Sequence, residues 1–339
     1  MRMPDKQQIH KNAEKSRDPL ISIGLPIRNG AHVMRRGIES ILSQDYQNLE
    51  LVLCDNASTD STDEICREYA ARDHRVRHYR NRSDIGQVPN FCKVFELSRG
   101  RYFKWMGADD WYASTYLRRC LDLLEQDDEL VMVNCYDKQF DVKYNERYTC
   151  THNVRVDSPY AALRFHRAVW HYKLHRWIKG HDLDPAYGVF RRDALEKTRL
   201  FRSILSTNIV LAAEASLLGK FRTIPEVLSF RRHPVRRRDI PEKKEKQELR
   251  ARYDPKLPSR RSGKEWDQVE FCKALMDVVR AAPISRIAKY LCLCNIQAYF
   301  AASFTIIAIG RALAFFRLKS VSRSFLMGKE PIRQLPTRR

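Results

Sequence analysis

Residues 101–112 are RYFKWMGADDWY, an aromatic and apolar run that stops at Gly107 and is followed by the adjacent pair Asp109 and Asp110. A short run of this kind, 101–106, bounded by a glycine, predicts a buried strand. Two adjacent carboxylates repel each other, and both are stabilised when they share a divalent cation or accept hydroxyl hydrogen bonds. The segment therefore predicts a strand that ends in a cluster of carboxylate oxygens, with a solvated acidic turn as the alternative.

Three earlier runs also have the composition of strands. They are residues 20–26 (LISIGLP), 49–54 (LELVLC) and 76–79 (VRHY), and the first two stop at Pro26 and Asp55. Runs rich in leucine and β-branched residues, bounded by a proline or a polar turn, predict buried strands. The first third of the chain therefore contains four predicted strands.

Helical patterns separate these strands. Apolar residues recur at helical spacing in 33–42, in 61–69 and after Asn90. Ser61 and Glu64 have the spacing of a capping box, and Asn90 is a candidate helix cap. Strands that alternate with helices predict an α/β fold, with a mainly parallel sheet and helices on both faces.

In such a sheet, ligands bind just past the carboxyl ends of the strands. The residues at these positions are 26–29, Asp55 with Asn56, and Asp109 with Asp110. Carboxylate oxygens suit Mg²⁺ or Mn²⁺, and few protein ligands leave room for a diphosphate on the ion. The strand ends therefore predict a metal-assisted site at one edge of the sheet.

The second half of the sequence is less regular. Residues 187–190 (YGVF) predict a strand, 208–218 a helix, and 221–231 short strands that complete the domain. Between 231 and 264 there are 14 Lys and Arg against 5 Asp and Glu, a shift that predicts a linker. Residues 290–310 then contain no charged residue.

The uncharged segment 290–310 is long enough to cross about 30 Å of hydrocarbon. Asn295, Gln297 and Ser303 lower its hydrophobicity, and basic residues flank it on both sides. An interfacial or packed helix is therefore preferred over a single C-terminal span. The flanking basic residues predict attraction to anionic lipid headgroups.

Composition narrows the class of protein. Of 339 residues, 62 are Lys or Arg and 41 are Asp or Glu, which gives a net charge of +21, and 43% are hydrophobic. This apolar content excludes a chain that is disordered throughout. The charge leaves nucleic acid, an anionic membrane or a phosphorylated substrate open as partners. Nucleic acid is the least favoured, because no recognition helix, RNP motif or zinc finger is recognisable.

The nine cysteines do not form a disulfide pattern. Their number is odd, no CxxC pair occurs, and most lie in apolar runs. This usage predicts buried thiols in a reducing cytoplasm. Residues 1–18 are polar and lack the apolar region of a signal peptide, so we expect a flexible arm.

Three segments together resemble the family 2 glycosyltransferases of the GT-A fold. They are ISIGLPIRNG, SILSQDYQNLELVLCDNASTDST and RYFKWMGADDWY, within residues 20–125, and they end three strands in the family's order. A weaker resemblance in YGVFRRDAL and NIVLAAEASLLGKFRTIPEVLSFRRHP continues to about 234. The resemblance implies a Rossmann-like sheet with a nucleotide-sugar donor lying across the strand ends.

The resemblance assigns roles to individual residues. Asp55 matches the acid that accepts a hydrogen bond from the base, usually uracil, although an Asx turn is the alternative role. Asp109 matches the ribose contact, and Asp110 matches the ligand of the Mg²⁺ or Mn²⁺ ion. The loop after the first strand lies along the nucleoside and comprises Pro26, Ile27 and Arg28. Arg232 and His233 match basic residues that lie near the donor diphosphate in the family, although a basic surface leading into the linker is an equal alternative role.

The catalytic base is the departure from the family pattern. Family members often have an acid at the position of Asn208, and asparagine does not accept a proton at neutral pH. Asp182, Asp184 and Glu214 are the nearby acids, and Asp184, which precedes the YGVF strand, is our candidate. Glu214 lies six residues after Asn208, on nearly the opposite face of the predicted helix.

The whole sequence predicts four regions: an arm at 1–18, the GT-A domain at 19–234, a basic linker at 235–265, and a helical, membrane-associating region at 266–339. The resemblance implies an inverting hexosyltransferase of polysaccharide biosynthesis. It would use a UDP-sugar and a glycan or lipid-linked acceptor, on the inner face of the cytoplasmic membrane. The alternatives are an impaired nucleotide-sugar-binding protein and a basic nucleic-acid-binding protein.

Overall fold

The computed structural model describes residues 18–141, 143–150, 156–179, 185–232, 242–255 and 264–315. Within these ranges, nine strands form one sheet. They are β1 (Ile21–Ile27), β2 (Leu49–Asp55), β3 (Val76–Arg80), β4 (Tyr102–Trp105), β5 (Asp110–Tyr112), β6 (Leu130–Phe140), β7 (Glu146–Cys150), β8 (Val189–Arg191) and β9 (Lys220–Arg232).

Ten α-helices accompany the strands in the described part of the chain. They are α1 (Met34–Leu42), α2 (Thr62–Arg72), α3 (Gln87–Glu96), α4 (Tyr116–Gln126), α5 (Ala161–Lys179), α6 (Arg192–Glu196), α7 (Thr207–Leu218), α8 (Glu242–Tyr253), α9 (Lys264–Ala281) and α10 (Arg286–Phe315). A 3₁₀ turn, Pro185–Tyr187, precedes β8. The α/β fold with helices in its C-terminal part is confirmed.

The strand order is β3-β2-β1-β4-β8-β6-β9-β5, and β7 also pairs with β6. The first four strands are parallel, as the alternating pattern predicts. From β8 onward the sheet is mixed, because β8 runs antiparallel to both β4 and β6. The segment predicted as short strands, 221–231, is the single long strand β9, which pairs in parallel with β6 and antiparallel with β5.

Each face of the sheet carries its own apolar core. On β2, Leu51 and Leu53 face one cluster while Val52 and Cys54 face the other, which is the two-residue alternation of a strand. One cluster is covered by α1, α2 and α4, and the other by α3, α5, α7, α9 and α10. Helices on both faces are therefore confirmed.

Two predicted helix caps are wrong. Ser61 precedes α2 but makes no side-chain cap hydrogen bond. Instead, Asp60 accepts the Thr62 backbone N–H at 3.1 Å. Asn90 lies inside α3, where its buried amide donates to the Cys54 carbonyl at 2.9 Å. The start of α2 is therefore capped by Asp60 in place of Ser61, whereas the Asn90 side chain contacts the neighbouring strand β2 instead of a helix end.

The two C-terminal helices pack against the sheet domain. Phe271 and Leu275 of α9, with Ile296 and Tyr299 of α10, are buried in the same cluster as α5 and α7. His166 Nδ1 of α5 lies 2.5 Å from Asn295 Oδ1 of α10. Among the helices described, none is long and apolar enough to cross a membrane.

Candidate active site at the strand ends

The loops after β1 and β2 are hydrogen-bonded to each other. Asn29, whose φ is +53°, donates its backbone N–H to Ser58 Oγ at 2.9 Å and accepts the Thr59 N–H at the same distance. The Gly30 N–H donates to Thr62 Oγ1 at 2.9 Å. The two motifs LPIRNG and DNASTDST therefore form one rigid corner at the carboxyl edge of the sheet.

The third motif contacts this corner. Met106 donates its N–H to the Gly24 carbonyl at 2.9 Å, which continues β4 beside β1. A Cβ added at Gly30 would lie 3.4 Å from Ala108 Cβ, so the first loop touches the turn that carries the two aspartates. The three predicted strand ends are therefore neighbours, as the parallel arrangement requires.

Asp55 is the last residue of β2 and is fully buried. Its Oδ1 accepts the Ser58 backbone N–H at 3.0 Å and the Ser58 hydroxyl, and its Oδ2 pairs with Arg80 Nη1 at 2.8 Å. Asp55 therefore stabilises the turn 55–58, which is the alternative role given to it above. Each carboxylate oxygen has two lone pairs, so Oδ2 keeps one acceptor position.

The loop after β1 is held by one acid, Asp84, from the connection that follows β3. Arg28 Nε lies 3.1 Å from Asp84 Oδ2, and Asn56 donates its amide to Asp84 Oδ1 at 2.6 Å. Ile27 lies opposite Asp55 in the β1–β2 register, and Pro26 lies opposite Cys54. Pro26 and Ile27 are buried, so of the three loop residues only Arg28 presents its side chain to solvent.

Asp109 and Asp110 stand where β5 begins. Gly107 donates its N–H to Asp110 Oδ2 at 3.0 Å, and Asp110 is 5% exposed. Burial and the neighbouring charge of Asp110 raise the pKa of Asp109 to about 6, against the opposing effect of Arg232 and Arg231. Two adjacent carboxylates, one with a raised pKa, suit a cation that would relieve their repulsion.

Helix α1 approaches this strand through a glycine. A Cβ added at Gly37 would lie 2.5 Å from the Asp110 carbonyl oxygen, so only glycine permits this contact. On the other side of β5, Asp110 faces Arg231 in the antiparallel register with β9. The acid pair is therefore fixed between α1 and the basic end of β9.

Lys104 of β4 is a buried cation on which the charge of Asp110 acts. It is fully buried; its ammonium donates to the Tyr187 carbonyl and lies 4.4 Å from the Tyr112 ring centroid. Burial and then the charge of Arg231 lower the pKa of Lys104 to about 8, while Asp110 opposes this shift. A lysine inside an otherwise apolar strand is the sequence signal for such a buried cation.

Arg80 and Asp84 are the contacts that sequence reasoning misses. Arg80 is the last residue of β3 and Asp84 lies in the loop that follows it, and neither belongs to a strand-end acid pair. Arg80 pairs with Asp55, and Asp84 pairs with Arg28. A basic residue at the end of the neighbouring parallel strand is the one signal available for Arg80.

The structure describes only some of the residues considered for the catalytic base. Asn208 lies in the first turn of α7 and is half-buried. Glu214 is buried on the same helix and accepts the Arg199 N–H at 3.1 Å, and burial raises its pKa. That contact gives Glu214 a structural role. Asp182, Asp184 and His233 lie outside the described residues.

The described residues contain no group of three or more His, Cys, Asp or Glu that could hold a metal ion by themselves. Asp110, with Asp109 beside it, offers hard oxygen ligands only, the type that Mg²⁺ or Mn²⁺ prefers. This small donor set fits an ion whose remaining positions are filled by water and phosphate oxygens.

Comparison with known proteins agrees with this geometry. The family model described as glycosyl transferase family 2 matches residues 22–199, more than half of the chain. An uncharacterized glycosyltransferase of Rickettsia prowazekii is 32% identical over 144 residues, which are 42% of this chain and 43% of that protein. The match therefore spans less than half of the relative's length.

Two solved structures share the fold. Residues 1–349 of Staphylococcus aureus TarS, in complex with UDP-GlcNAc, match with a TM-score of 0.51 and 12% identity, covering 87% of this chain and 92% of that one. The mannosyltransferase PcManGT from Pyrobaculum calidifontis, in complex with GDP-Man and Mn²⁺, has a TM-score of 0.51 and 16% identity, covering 94% and 91%. Both similarities concern the GT-A fold.

Proposed function

The chain belongs to glycosyltransferase family 2, and we propose that it transfers a sugar from a nucleotide-sugar donor to a glycan or lipid-linked acceptor. The observation that carries the proposal is the contact among three strand-end motifs, which brings Asp55, Asp109 and Asp110 to one edge of the sheet. Ligands of open α/β sheets bind at this edge.

A UDP-sugar is the proposed donor. Asp55 Oδ2 would accept the base N–H at its remaining lone pair, and Arg28 would lie along the nucleoside. Asp109 would accept from the ribose, and Arg232 and His233 would lie near the diphosphate. Structures with this fold hold UDP-GlcNAc in one case and GDP-Man in another. A binding screen of UDP-, GDP- and dTDP-sugars would identify the nucleotide, and binding of none would refute the donor site.

A divalent ion on Asp110 is the proposed cofactor. When bound, it stabilises the negative charge that develops on the departing diphosphate. The protein's own part is to hold the Asp110 carboxylate with the Gly107 N–H. The positive side chains of Arg231 and Arg232 lower the cost of placing two carboxylates together.

Inversion requires a base that takes the proton of the acceptor hydroxyl while that oxygen attacks the anomeric carbon. We propose Asp184 for this role, because Asn208 is not basic and Glu214 is committed to the Arg199 N–H. The same observations favour a second candidate function, a nucleotide-sugar-binding protein with little transferase activity. The transferase and the binding protein are distinguished by measuring turnover of the donor identified by the screen, in the unaltered protein and in Asp184→Asn.

Association with an anionic membrane surface is also proposed. On α10, Ile287, Tyr290 and Leu291 are 74%, 68% and 47% exposed, and they lie on one helical face. Exposed Arg286 lies beside them. An apolar face flanked by basic residues is typical of a helix that lies in the membrane interface. Such a surface would place the enzyme near lipid-linked acceptors.

A further inference from the structure

Beside the two aspartates lies a cluster of aromatic rings that the proposed donor site does not use. Trp111 follows Asp110 in β5, and its ring stacks on Phe230 with centroids 5.7 Å apart and planes 8° apart. Phe140 packs against the same indole at 5.2 Å, and Tyr144 lies 6.0 Å away. Because successive strand residues point to opposite faces, Trp111 lies on the other side of β5 from the Asp110 side chain.

Arg36 of α1 lies over this cluster. Its guanidinium carbon is 3.6 Å from the Trp111 ring centroid and 5.4 Å from that of Tyr144. Among the described residues no carboxylate pairs with Arg36, whereas its neighbour Arg35 pairs with Glu68 at 2.7 Å. Stacking uses the faces of the guanidinium plane and leaves its N–H donors free at the edge, where they match a carboxylate or phosphate.

Tyr144 is held in place by its turn. Its φ is +62°, a left-handed conformation that is rare for an aromatic residue. The residue is 45% exposed. Asp141 fixes this turn: its Oδ1 accepts the Lys143 and Asn145 N–H groups at 2.8 and 2.9 Å. Backbone strain of this kind concentrates at binding sites, where the surrounding structure enforces it.

A second guanidinium reaches the same ring. Arg232, at the end of β9, lies with its guanidinium carbon 5.4 Å from the Tyr144 centroid. Its charge also acts on Asp109. Together with the close approach of Gly37 to the Asp110 carbonyl, this contact makes the cluster continuous with the acid pair.

We propose that Arg36, Trp111 and Tyr144 form an acceptor subsite for a sugar that carries a carboxylate or phosphate group, and that Arg232 borders this subsite on the donor side. The edge of the Arg36 guanidinium binds the anion, and the exposed face of Tyr144 packs against the sugar ring. This inference rests on the proposed glycosyltransferase function. It adds that the acceptor is anionic, and it makes Arg36 a specificity-determining residue.

The test measures binding of three probes to the full-length protein by NMR titration: methyl β-glucuronide, glucose 1-phosphate and the neutral methyl β-glucoside. Arg36→Gln removes the guanidinium group and its charge, and Arg36→Lys keeps the charge but lacks the planar set of N–H donors. Arg35→Gln is the matched control, because it makes the same charge change one residue away. UDP binding with Mn²⁺ is measured for every variant, so that failure of the donor site is seen separately.

We expect at least one anionic probe to bind more tightly than the glucoside. Arg36→Gln should lower the affinity for that probe about tenfold, as expected for loss of a charge-assisted hydrogen bond. Arg36→Lys should lower this affinity nearly as much. Arg35→Gln should leave the affinity for the probes unchanged, and every variant should bind UDP with the same affinity. The tighter of the two anions identifies the acceptor's charged group. Equal binding of charged and neutral probes, or equal effects of Arg35→Gln and Arg36→Gln, would overturn the proposal.

Discussion

The backbone N–H of Gly107 donates to Asp110 Oδ2 at 3.0 Å, so the turn between β4 and β5 holds the proposed metal ligand in place. The same glycine leaves room for both acids. An added Cβ would lie 3.0 Å from Asp110 Oδ2 and 3.3 Å from Asp109 Oδ1, which is tighter than an ordinary contact. The geometry of the acid pair therefore depends on residue 107 as well as on the aspartates.

Gly107→Ala should move the two carboxylates by a few tenths of an ångström. We expect affinity for the nucleotide in the presence of Mn²⁺ to fall by about tenfold, because metal sites tolerate little displacement of their ligands. Calorimetric titration with UDP measures this effect. Affinity equal to that of the unaltered protein, at an unchanged melting temperature, would show that the turn does not position the site.

Glu50 predicts a pH dependence of stability. Burial alone would raise its pKa, but hydrogen bonds from Ser22, Arg77 and the Arg99 N–H together lower it. A carboxylate whose pKa is lower in the folded state stabilises the protein above its unfolded-state pKa of about 4.3 and loses this effect as pH falls below it.

Glu50→Gln should therefore reduce the free energy of unfolding by about 2 kcal/mol at neutral pH, from loss of charge-assisted hydrogen bonds. The difference from the unaltered protein should be smaller at about pH 3 than at neutral pH, because the carboxylate becomes protonated as the pH falls. Urea denaturation at the two pH values measures it, with Glu64→Gln, an exposed residue of α2, as the control. A difference that is constant with pH would contradict the assignment.

Much of the fold could be predicted because the first four strands follow local rules. Their apolar runs, and the helical periodicity between the runs, predict a mainly parallel sheet, and the strand ends give Asp55, Asp109 and Asp110 as neighbours. The antiparallel β8 and the long β9 could not be predicted, because their pairing depends on contacts between distant segments. Likewise, the roles of Asn90 and Arg80 come from buried contacts across strands, which local cap and turn patterns do not contain.

The proposed base predicts a large effect for one substitution and almost none for another. Asp184→Asn should lower kcat by about 10² or more, the usual contribution of a general base, with little change in donor affinity. Asn208→Asp should leave kcat nearly unchanged. A large gain from Asn208→Asp, with no effect of Asp184→Asn, would instead indicate an impaired transferase. Initial rates with the donor found by the binding screen measure both.

The exposed face of α10 predicts selective membrane binding. Changing Ile287, Tyr290 and Leu291 together to serine should abolish sedimentation with phosphatidylglycerol vesicles without unfolding the protein, since these side chains are exposed. Phosphatidylcholine vesicles should bind weakly in either case, because the basic residues gain little there. Tyr160→Ser with Leu163→Ser removes exposed apolar residues elsewhere and is the control. Unchanged sedimentation of the triple variant would refute the surface.

The most direct test of the central claim is the Mn²⁺ dependence of UDP binding in the Asp110→Ala variant. The unaltered protein should bind UDP more tightly with Mn²⁺ than without it, and Asp110→Ala should remove that gain while the protein stays folded. Asp122→Ala, the same change at an exposed position of α4, should behave like the unaltered protein. If Asp110→Ala keeps the full Mn²⁺-dependent gain in affinity, the donor site is not at these strand ends.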